Sequence, residues 1–325
     1  MNPTKGVVDS FSLYRLVKPS ITFIVNRKVV SPVMFRNSED DRAEIKEFDG
    51  NIHAQVNPEK FLSQERNTGL HLLRHLTYKN NDELTNWREN DERNGLISSE
   101  YHYNEQPSLT NSVNLDSATY GAAGVDIDTY SMKSHVVSGY AYSLYEYDIV
   151  NPETRNAVYE SGTMRDSDGE QSSSLYNLNP VHPGNNFISF VTIEAGTPEM
   201  VLYYLHNLLN TGKYGARETR HGKTIENEIM GVIVSSHPVS LSSCELVMEY
   251  HESSNTPEES VKDYIENEMN KSWDIYSETL DIGDDLPEWY ENYLELVEQF
   301  EDEDELYDIL DAETGDYYNT LVSED

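Results

Sequence analysis

The feature that most restricts the fold of this chain is a strand followed at once by a capped helix. Residues 186–193 are mostly β-branched, aromatic or otherwise apolar, which is typical of a buried strand. Thr197 then supplies an N-cap and Pro198 occupies the first helical position, so a helix is predicted up to Gly212. Its apolar stripe consists of Met200, Leu202, Tyr203, Leu205, Leu208 and Leu209. A sheet that buries one face against this helix is therefore expected.

Four further segments are predicted to be strands. Residues 21–30 form a β-branched apolar run bounded by Ser and Pro on both sides, which favours a central, buried strand. Residues 136–147 alternate in polarity, and residues 228–235 and 240–250 have the composition of two closing strands. With the helix, these strands indicate an α+β fold of the ferredoxin-like type.

Two long insertions are predicted within a core that spans residues 1–251. The first, at about residues 50–130, is polar and contains one helical stretch marked by Leu70, Leu73 and Leu76. The second, at residues 151–185, is rich in Gly, Ser and Asp, so we expect an exposed arm in this region.

Acidic residues are concentrated in residues 252–325. The whole chain carries 59 Asp and Glu against 23 Lys and Arg, a net charge of -36, and this segment has only Lys262 and Lys271 as basic residues. Residues 257–269 and 287–300 have helical spacing. The segment is therefore predicted to be an acidic helical extension whose helices are solvated.

This acidic excess is typical of an extreme halophile, because molar salt screens surface charges within about 3 Å. Hydrophobic residues make up 37% of the chain, which is enough for a packed core and argues against a disordered protein. Cys244 is the single cysteine, which excludes an intramolecular disulfide and a cysteine zinc cluster. The longest apolar runs are too short to span a bilayer. We expect a cytoplasmic protein with no membrane contact.

A short basic loop stands out in this acidic chain. Residues 212–223 carry four positive charges and one negative charge, with glycines that expose backbone amides. The basic residues are Lys213, Arg217, Arg220 and Lys223. Such side chains can hold phosphates, and Tyr214 offers an aromatic face to a base. The alternative is a plain connection whose bases balance neighbouring acids.

Catalytic motifs are scarce. His71 and His75 share a helix face, but Leu72 stands where a zinc protease needs Glu. We find no nucleophile elbow, Walker loop or dinucleotide fingerprint. Asp126 and Asp128 could ligate a metal, although nothing near them in the sequence completes a site. The sequence thus predicts a protein that is not an enzyme and that has no cofactor or metal.

Several blocks of the sequence are similar to the motifs of one family. They are Phe187-Ile-Ser-Phe-Val-Thr-Ile, Tyr214-Gly-Ala-Arg-Glu-Thr-Arg and Asn227-Glu-Ile-Met-Gly-Val-Ile, with shorter motifs at Tyr120-Gly, Lys133-Ser and Gly162-Thr-Met. Over roughly residues 22–250 the chain resembles the RAMP-type Cas-seven (Csc-two) backbone subunit of type I-D CRISPR effector complexes. The Tyr-Gly-Ala-Arg block is the most specific of these motifs.

The resemblance implies a filament of identical subunits on a CRISPR guide RNA. Each subunit would have an RRM-like palm, a helical insertion and a thumb arm formed by the second insertion. The guide would recognise foreign DNA by base pairing, while the protein contacts its backbone. Other type I-D subunits, including a large nuclease subunit, would complete the complex.

The resemblance also implies which residues contact RNA. The expected phosphate contacts are Lys133, Lys213, Arg217, Arg220 and Lys223, with Arg36 as a weaker addition. Tyr214 is expected to stack on a base, and Met164 in the thumb arm to act as a wedge between bases.

Two departures from the family pattern affect these expectations. Many relatives have cysteines in the first insertion that look like a zinc site, whereas Ser98, Ser99, Tyr101 and Tyr103 occupy that region here. Zinc is therefore not expected. Position 135 is His where Arg is common, so one phosphate contact is expected to be weaker or dependent on pH.

Two alternatives remain open at this point. Backbone subunits of type III complexes resemble this fold and cut RNA with a thumb-side Asp, which would be Asp126 or Asp128 here. The other alternative is an unrelated α+β enzyme from a halophile. The acidic extension lies outside the resemblance, and we expect it to point away from the guide and to be dispensable for RNA binding.

Overall fold

A computed structural model provides the structure of this protein. It describes residues 6–8, 10–15, 17–36, 42–48, 50–80, 95–103, 108–125, 129–148, 153–156, 165, 168, 175–216, 221–253, 255–271, 278–279 and 303–322. Within these ranges no helix combines the length and the apolar character that crossing a membrane requires.

The strands in the described ranges form four sheets. They are β1 (Ser20–Val29), β2 (Glu44–Phe48), β3 (Asn51–Val56), β4 (Ala122–Gly124), β5 (Tyr130–Met132), β6 (Val136–Ser138), β7 (Ala141–Tyr142), β8 (Glu153–Asn156), β9 (Leu175–Leu178), β10 (Asn186–Glu194), β11 (Ile225–Ser235) and β12 (Glu278–Thr279). The main sheet has the order β12-β11-β1-β10-β6, and β2-β3-β7 form a smaller one. The pairs β4-β5 and β8-β9 are hairpins.

The helices cover both faces of the main sheet. They are α1 (Glu59–Lys79), α2 (Leu109–Ser112), α3 (Leu115–Tyr120), α4 (Pro198–Asn210), α5 (Ser243–Glu252), α6 (Pro257–Lys271) and α7 (Glu303–Val322), and a 3-10 helix spans Phe11–Arg15. This arrangement confirms the α+β fold.

β1 is the central strand, as its composition predicted. It pairs antiparallel with β10 on one side and with β11 on the other. Alternate residues of β1 serve two different cores: Phe23 and Val25 pack with α1, α4 and α7, whereas Ile24 packs with α5 and α6. Because side chains alternate across a strand, a strand covered on both faces is apolar along nearly its whole length.

α1 and α4 approach each other closely at Gly69. A Cβ atom at this position would overlap the side chains of Tyr203 and Asn207, both of which are buried. Leu70, Leu73 and Leu76 of α1 are buried in the same core as the apolar stripe of α4. The helical stretch predicted in the first insertion is thus confirmed, and it belongs to the main core.

The strand predicted at residues 240–250 is wrong, because this segment forms α5. The Ser242 side chain accepts a hydrogen bond from the backbone N–H of Glu245, 3.3 Å away, and so caps the helix. A Ser followed three residues later by Glu is the capping signal of a helix start, and here it outweighs the β-branched and aromatic content. Cys244 accordingly lies on a helix and is partly exposed.

The helix expected at residues 257–269 is confirmed as α6, but the expectation that it is solvated is wrong, and the helix expected at residues 287–300 lies outside the described residues. Tyr264 in α6 is buried under the main sheet, and Leu310 and Tyr317 in α7 belong to the core of α1 and α4. The ring of Tyr317 packs edge-on against Phe11, with centroids 4.7 Å apart. Removing residues 252–325 would therefore expose the core, and we no longer expect such a truncation to leave the rest of the chain intact.

Two other segments differ in part from their predictions. The strand expected over residues 136–147 is split into β6 and β7, which belong to different sheets. In the second insertion, which was expected to be an exposed arm, the structure describes the antiparallel pair β8-β9, whereas Met164 lies outside the described residues.

Candidate nucleic-acid interface

A polar groove of about 650 Å³ opens between α1, the C-terminal end of α4 and the start of β11. We call it the α1 groove. It is lined by Gln64, Asn67, Thr68, His71, Leu209, Asn210, Thr211, Gly212, Lys213, Lys223, Ile225, Glu226 and Asn227. Two of the basic residues predicted to hold phosphates, Lys213 and Lys223, thus meet at a single cavity.

The two ends of the basic loop are fixed by backbone hydrogen bonds. The N–H of Thr224 donates to the carbonyl of Gly212 at 2.7 Å, and the N–H of Ala216 donates to the carbonyl of Met34 at 2.8 Å. Gly222 has a φ of 86°, which favours glycine and lets the chain turn back into β11. The loop therefore holds its lysines at defined positions on the rim of the groove.

Lys213 and Lys223 are both exposed. The Lys223 ammonium lies 2.7 Å from the carboxylate of Glu226, which lowers the pKa of Glu226 through this hydrogen bond and charge. An exposed pair of this kind contributes little to stability, so a phosphate could replace the carboxylate as the partner of Lys223 at little cost. Arg217 and Arg220 lie outside the described residues.

Tyr214 does not have the exposed face that stacking on a base requires. Its side chain is fully buried, with its ring packed edge-on against Phe61. The Tyr214 hydroxyl donates to Glu65 at 3.0 Å and accepts from Asn227 at 2.7 Å. The predicted stacking role is therefore wrong in this structure, and Tyr214 instead anchors the basic loop in the core.

Beneath the loop, Tyr214 joins a buried ion pair. Arg27 of β1 donates through Nη1 to Glu65 of α1 at 2.5 Å and through Nε to Ser189 at 3.0 Å. Burial lowers the pKa of Arg27, but the charge and hydrogen bond of Glu65, together with the nearby hydroxyls of Tyr214 and Tyr204, more than offset this effect, and the pKa lies above its ordinary value. Burial and the same carboxylate raise the pKa of Tyr214, so its hydroxyl stays protonated and can donate. The loop, α1 and β1 are thereby tied together.

Lys133 is not part of this cluster. Its ammonium lies 3.3 Å from Glu194, which pairs with Ser20 at the first residue of β1. The groove is at the opposite end of that strand, where Val29 pairs with Ile225. Nine residues of strand span about 30 Å, so Lys133 and the groove lysines would have to contact different nucleotides.

The remaining predicted residues lie in different surroundings. Arg36 is exposed and follows Met34, the residue that anchors the basic loop, so it lies on the same side as the groove. His135 is buried between Phe11 and Tyr14, and burial lowers its pKa. It therefore has no open face for a phosphate, which corrects the expectation of a weakened contact there.

Asp126 and Asp128, the candidate metal ligands of the ribonuclease alternative, lie outside the described residues. In the part of the chain that the structure covers, no group of three or more His, Cys, Asp and Glu side chains is arranged to hold a metal ion.

The sequence interpretation missed the wall of the groove that α1 provides. Gln64, Asn67, Thr68 and His71 follow the spacing of one helix face and line the cavity. The signal was present as a polar stripe on a helix whose other side is apolar. His71 by itself indicates only a possible zinc ligand, and the row becomes a groove wall only when α4 packs beside α1.

Comparisons with known proteins bear on the identity of this fold. The model of the Csc2 CRISPR family matches residues 52–309. The crystal structure of Csc2 from Thermofilum pendens is similar with a TM-score of 0.62 and 16% identity, over 96% of this chain and 91% of that one. A chain of a CRISPR RNA-guided surveillance complex in a pre-nicking state has a TM-score of 0.53 and 11% identity, over 79% and 89%.

A comparison with curated protein sequences gives no match. At these identities the solved structures establish the fold, while the family model covers most of the sequence and extends into the acidic segment that the motifs had left out. The family expected from the motifs is confirmed: this chain belongs to the Csc2 family of CRISPR proteins.

Proposed function

We propose that this chain is a non-catalytic backbone subunit of a type I-D CRISPR effector complex in a halophile. It binds the CRISPR guide RNA side by side with further copies of itself, and the guide recognises target DNA by base pairing. Other subunits, including a large nuclease, complete the complex. Family membership supports the assignment to CRISPR defence, and the α1 groove supports RNA binding.

The observation that carries the proposal is the position of Lys213 and Lys223. In a chain with a net charge of -36, both lysines face one groove whose other walls are mostly amides and hydroxyls. A phosphate-sugar backbone needs this combination of cations and neutral hydrogen-bonding groups. Lys133 and Arg36 supply further basic side chains outside the groove, which suits a ligand longer than one nucleotide.

Bulk charge does not provide the affinity of this protein. A net negative subunit repels RNA at long range, and molar salt removes most of the gain from counterion release. Affinity must then come from short-range contacts that are repeated in successive subunits along one guide. A backbone filament is the assembly that supplies such repetition.

The test measures binding of the full chain to a fluorescently labelled single-stranded RNA of about 30 nucleotides, by anisotropy over a series of salt concentrations. We expect the double variant Lys213→Ala, Lys223→Ala to bind about tenfold more weakly, a loss of about 1.4 kcal/mol. The slope of log K against log salt should fall by about 1.4, because each lost phosphate contact removes about 0.7.

Lys46→Ala is the matched control, since Lys46 is exposed on β2 and does not line the groove. It should bind like the unchanged chain. Equal affinity of the double variant and the unchanged chain would rule out the groove as the phosphate site.

A cleavage assay distinguishes the proposed function from the second candidate, a metal-dependent ribonuclease of the type III kind. The assembled protein, incubated with complementary RNA and Mg²⁺, should give no periodic cleavage. Cuts that disappear in Asp126→Ala or Asp128→Ala would establish the nuclease instead.

A further inference from the structure

One wall of the α1 groove carries polar side chains without partners. Gln64, Asn67 and His71 stand at positions i, i+3 and i+7 of α1, so they lie in one row. None of these three side chains makes a hydrogen bond to another residue in the described part of the chain. Gln64 and Asn67 are partly exposed and both line the cavity, so a ligand in the groove can reach them.

On the opposite side of the groove, the amide side chains already donate hydrogen bonds to backbone carbonyls. The Asn227 amide donates to the carbonyls of Leu208 and Thr211, at 2.8 and 3.0 Å. Asn210 donates to the carbonyl of His206 at 2.9 Å. These bonds fix the end of α4 against β11 and form a rigid frame.

The two walls are held at a set distance. The hydroxyls of Thr68 and Thr211 are 2.7 Å apart and link α1 to the end of α4. One residue further along α1, Gly69 leaves no room for a side chain between the helices. The width of the groove is thus fixed before any ligand binds. Binding therefore costs less conformational entropy, because the two walls are already ordered.

The groove also has an apolar surface. Leu209 is 37% exposed at its edge and is one of the large exposed hydrophobic residues of the chain. The volume of about 650 Å³ falls in the range of about 300 to 1,000 Å³ that is typical of pockets for small organic groups. An apolar patch, unpaired amides and two lysines together match the base, the sugar and the phosphate of a nucleotide.

We propose that the α1 groove takes one unstacked nucleotide of single-stranded RNA and that Gln64 and Asn67 contact its ribose 2′-hydroxyl. Lys213 and Lys223 hold the adjacent phosphate, which replaces the Glu226 carboxylate as the partner of Lys223, and the base lies against Leu209. This inference rests on the proposed RNA binding and adds to it a preference for RNA over DNA.

The chemistry of the amide explains the preference. A 2′-hydroxyl is both a donor and an acceptor, and a Gln or Asn side chain offers both complementary groups. DNA has no atom at this position, so the amides would keep only water as partners. One net hydrogen bond corresponds to a preference of roughly threefold to tenfold, or about 0.65 to 1.4 kcal/mol.

The experiment compares three labelled single strands of identical sequence and of about 30 nucleotides: RNA, DNA and 2′-O-methyl RNA. The unchanged full chain should bind RNA about three to ten times more tightly than DNA, with 2′-O-methyl RNA close to DNA. In the double variant Gln64→Ala, Asn67→Ala the affinity for RNA should fall to that for DNA, while the affinity for DNA stays the same.

His75→Ala is the control, since His75 lies one turn beyond His71 and does not line the groove. It should keep the RNA preference, and circular dichroism should show that all variants are folded. A double variant that keeps the preference would overturn the inference while leaving the proposed function in place. An unchanged chain that binds RNA and DNA equally would also overturn it. If the unchanged chain binds neither strand, the proposed function fails as well.

Discussion

Two consecutive residues of α1 enter two buried ion pairs of very different character. Glu65 pairs with Arg27, and the two side chains are 0% and 1% exposed. Arg66 pairs with Asp116, and here the arginine is 12% exposed while the carboxylate is 0% exposed. Neighbours on a helix point about 100° apart, so these pairs lie in different parts of the core.

The first pair is deep and incompletely satisfied. Both Arg27 Nη1 and the Tyr214 hydroxyl donate to Oε1 of Glu65, while Oε2 has no hydrogen-bond partner in the described part of the chain. The guanidinium also lies over the ring of Phe61, 4.3 Å from its centroid. A buried charge held by few donors depends strongly on its single ionic partner.

The second pair is better satisfied and closer to solvent. Asp116 accepts from Nε and Nη2 of Arg66, at 2.9 and 2.7 Å, and from the Tyr101 hydroxyl at 2.9 Å. Arg66 also donates to the carbonyl of Gly121 at 2.9 Å. The ring of Tyr103 lies 4.3 Å from the guanidinium carbon.

The difference shows that the two pairs serve different regions. The Arg66 pair joins α1 to α3, away from the basic loop. The Arg27 pair reaches the loop through Tyr214, so the α1 groove is attached to a fully buried ion pair. Three substitutions test this division, from the largest expected effect to the smallest.

Glu65→Gln should lower the free energy of unfolding by about 3 to 5 kcal/mol, because it leaves the fully buried charge of Arg27 without a counterion. Denaturant unfolding measures the effect. Glu59→Gln is the control, since Glu59 is exposed at the start of the same helix, and it should change stability by less than about 0.5 kcal/mol.

Asp116→Asn should cost less, about 1 to 3 kcal/mol. Arg66 is partly exposed, so after the loss of its carboxylate the guanidinium can still reach water, and the amide keeps one acceptor for Tyr101. The same unfolding measurement applies. A loss as large as that of Glu65→Gln would show that solvent access does not separate the two pairs.

Tyr214→Phe should have the smallest effect on stability, about 1 kcal/mol, because it removes one hydroxyl and retains the packed ring. It should also weaken RNA binding, although Tyr214 is buried, since the loop that carries Lys213 loses its anchor. Anisotropy with the labelled RNA tests this. Unchanged RNA affinity together with reduced stability would show that the anchor does not influence the groove.

The sequence predicted the parts of the fold that depend on local patterns. The strand at residues 21–30 and the helix from Thr197 to Gly212 differ from β1 and α4 by no more than about two residues at each end. Burial on both faces makes the strand apolar, and the Thr-Pro cap marks the start of the helix. Such signals lie within a few residues of one another and need no tertiary information.

Features that depend on distant contacts could not be predicted in this way. Tyr214 lies in a basic loop, where an aromatic residue is usually exposed, and its burial follows from Glu65, 149 residues earlier in the chain. The burial of Arg27 near the end of β1 likewise depends on Glu65, 38 residues later in the chain. α7 is acidic up to Asp316, and its core contacts depend on only a few residues, such as Leu310 and Tyr317.

The candidate site was predicted in part. The basic loop indicated Lys213 and Lys223, and the structure places both at one groove. The sequence could not reveal that Lys133 lies at the other end of the central strand, because sequence order does not give the strand register. The row of amide side chains on α1 can be recognised as one wall of a groove only when the end of α4 is placed opposite to it.

The contact between Phe11 and Tyr317 has a consequence for how this chain is made. The Phe11 backbone N–H also donates to Asp316, 305 residues later in the sequence. At about 5 to 20 residues per second, a ribosome needs about 15 to 60 s to synthesise the intervening chain. Once α1 and α4 have been synthesised, their apolar surface lacks its cover until α7 follows. The nascent chain is thus most prone to aggregation just before α7 is synthesised, when chaperone protection would be most effective.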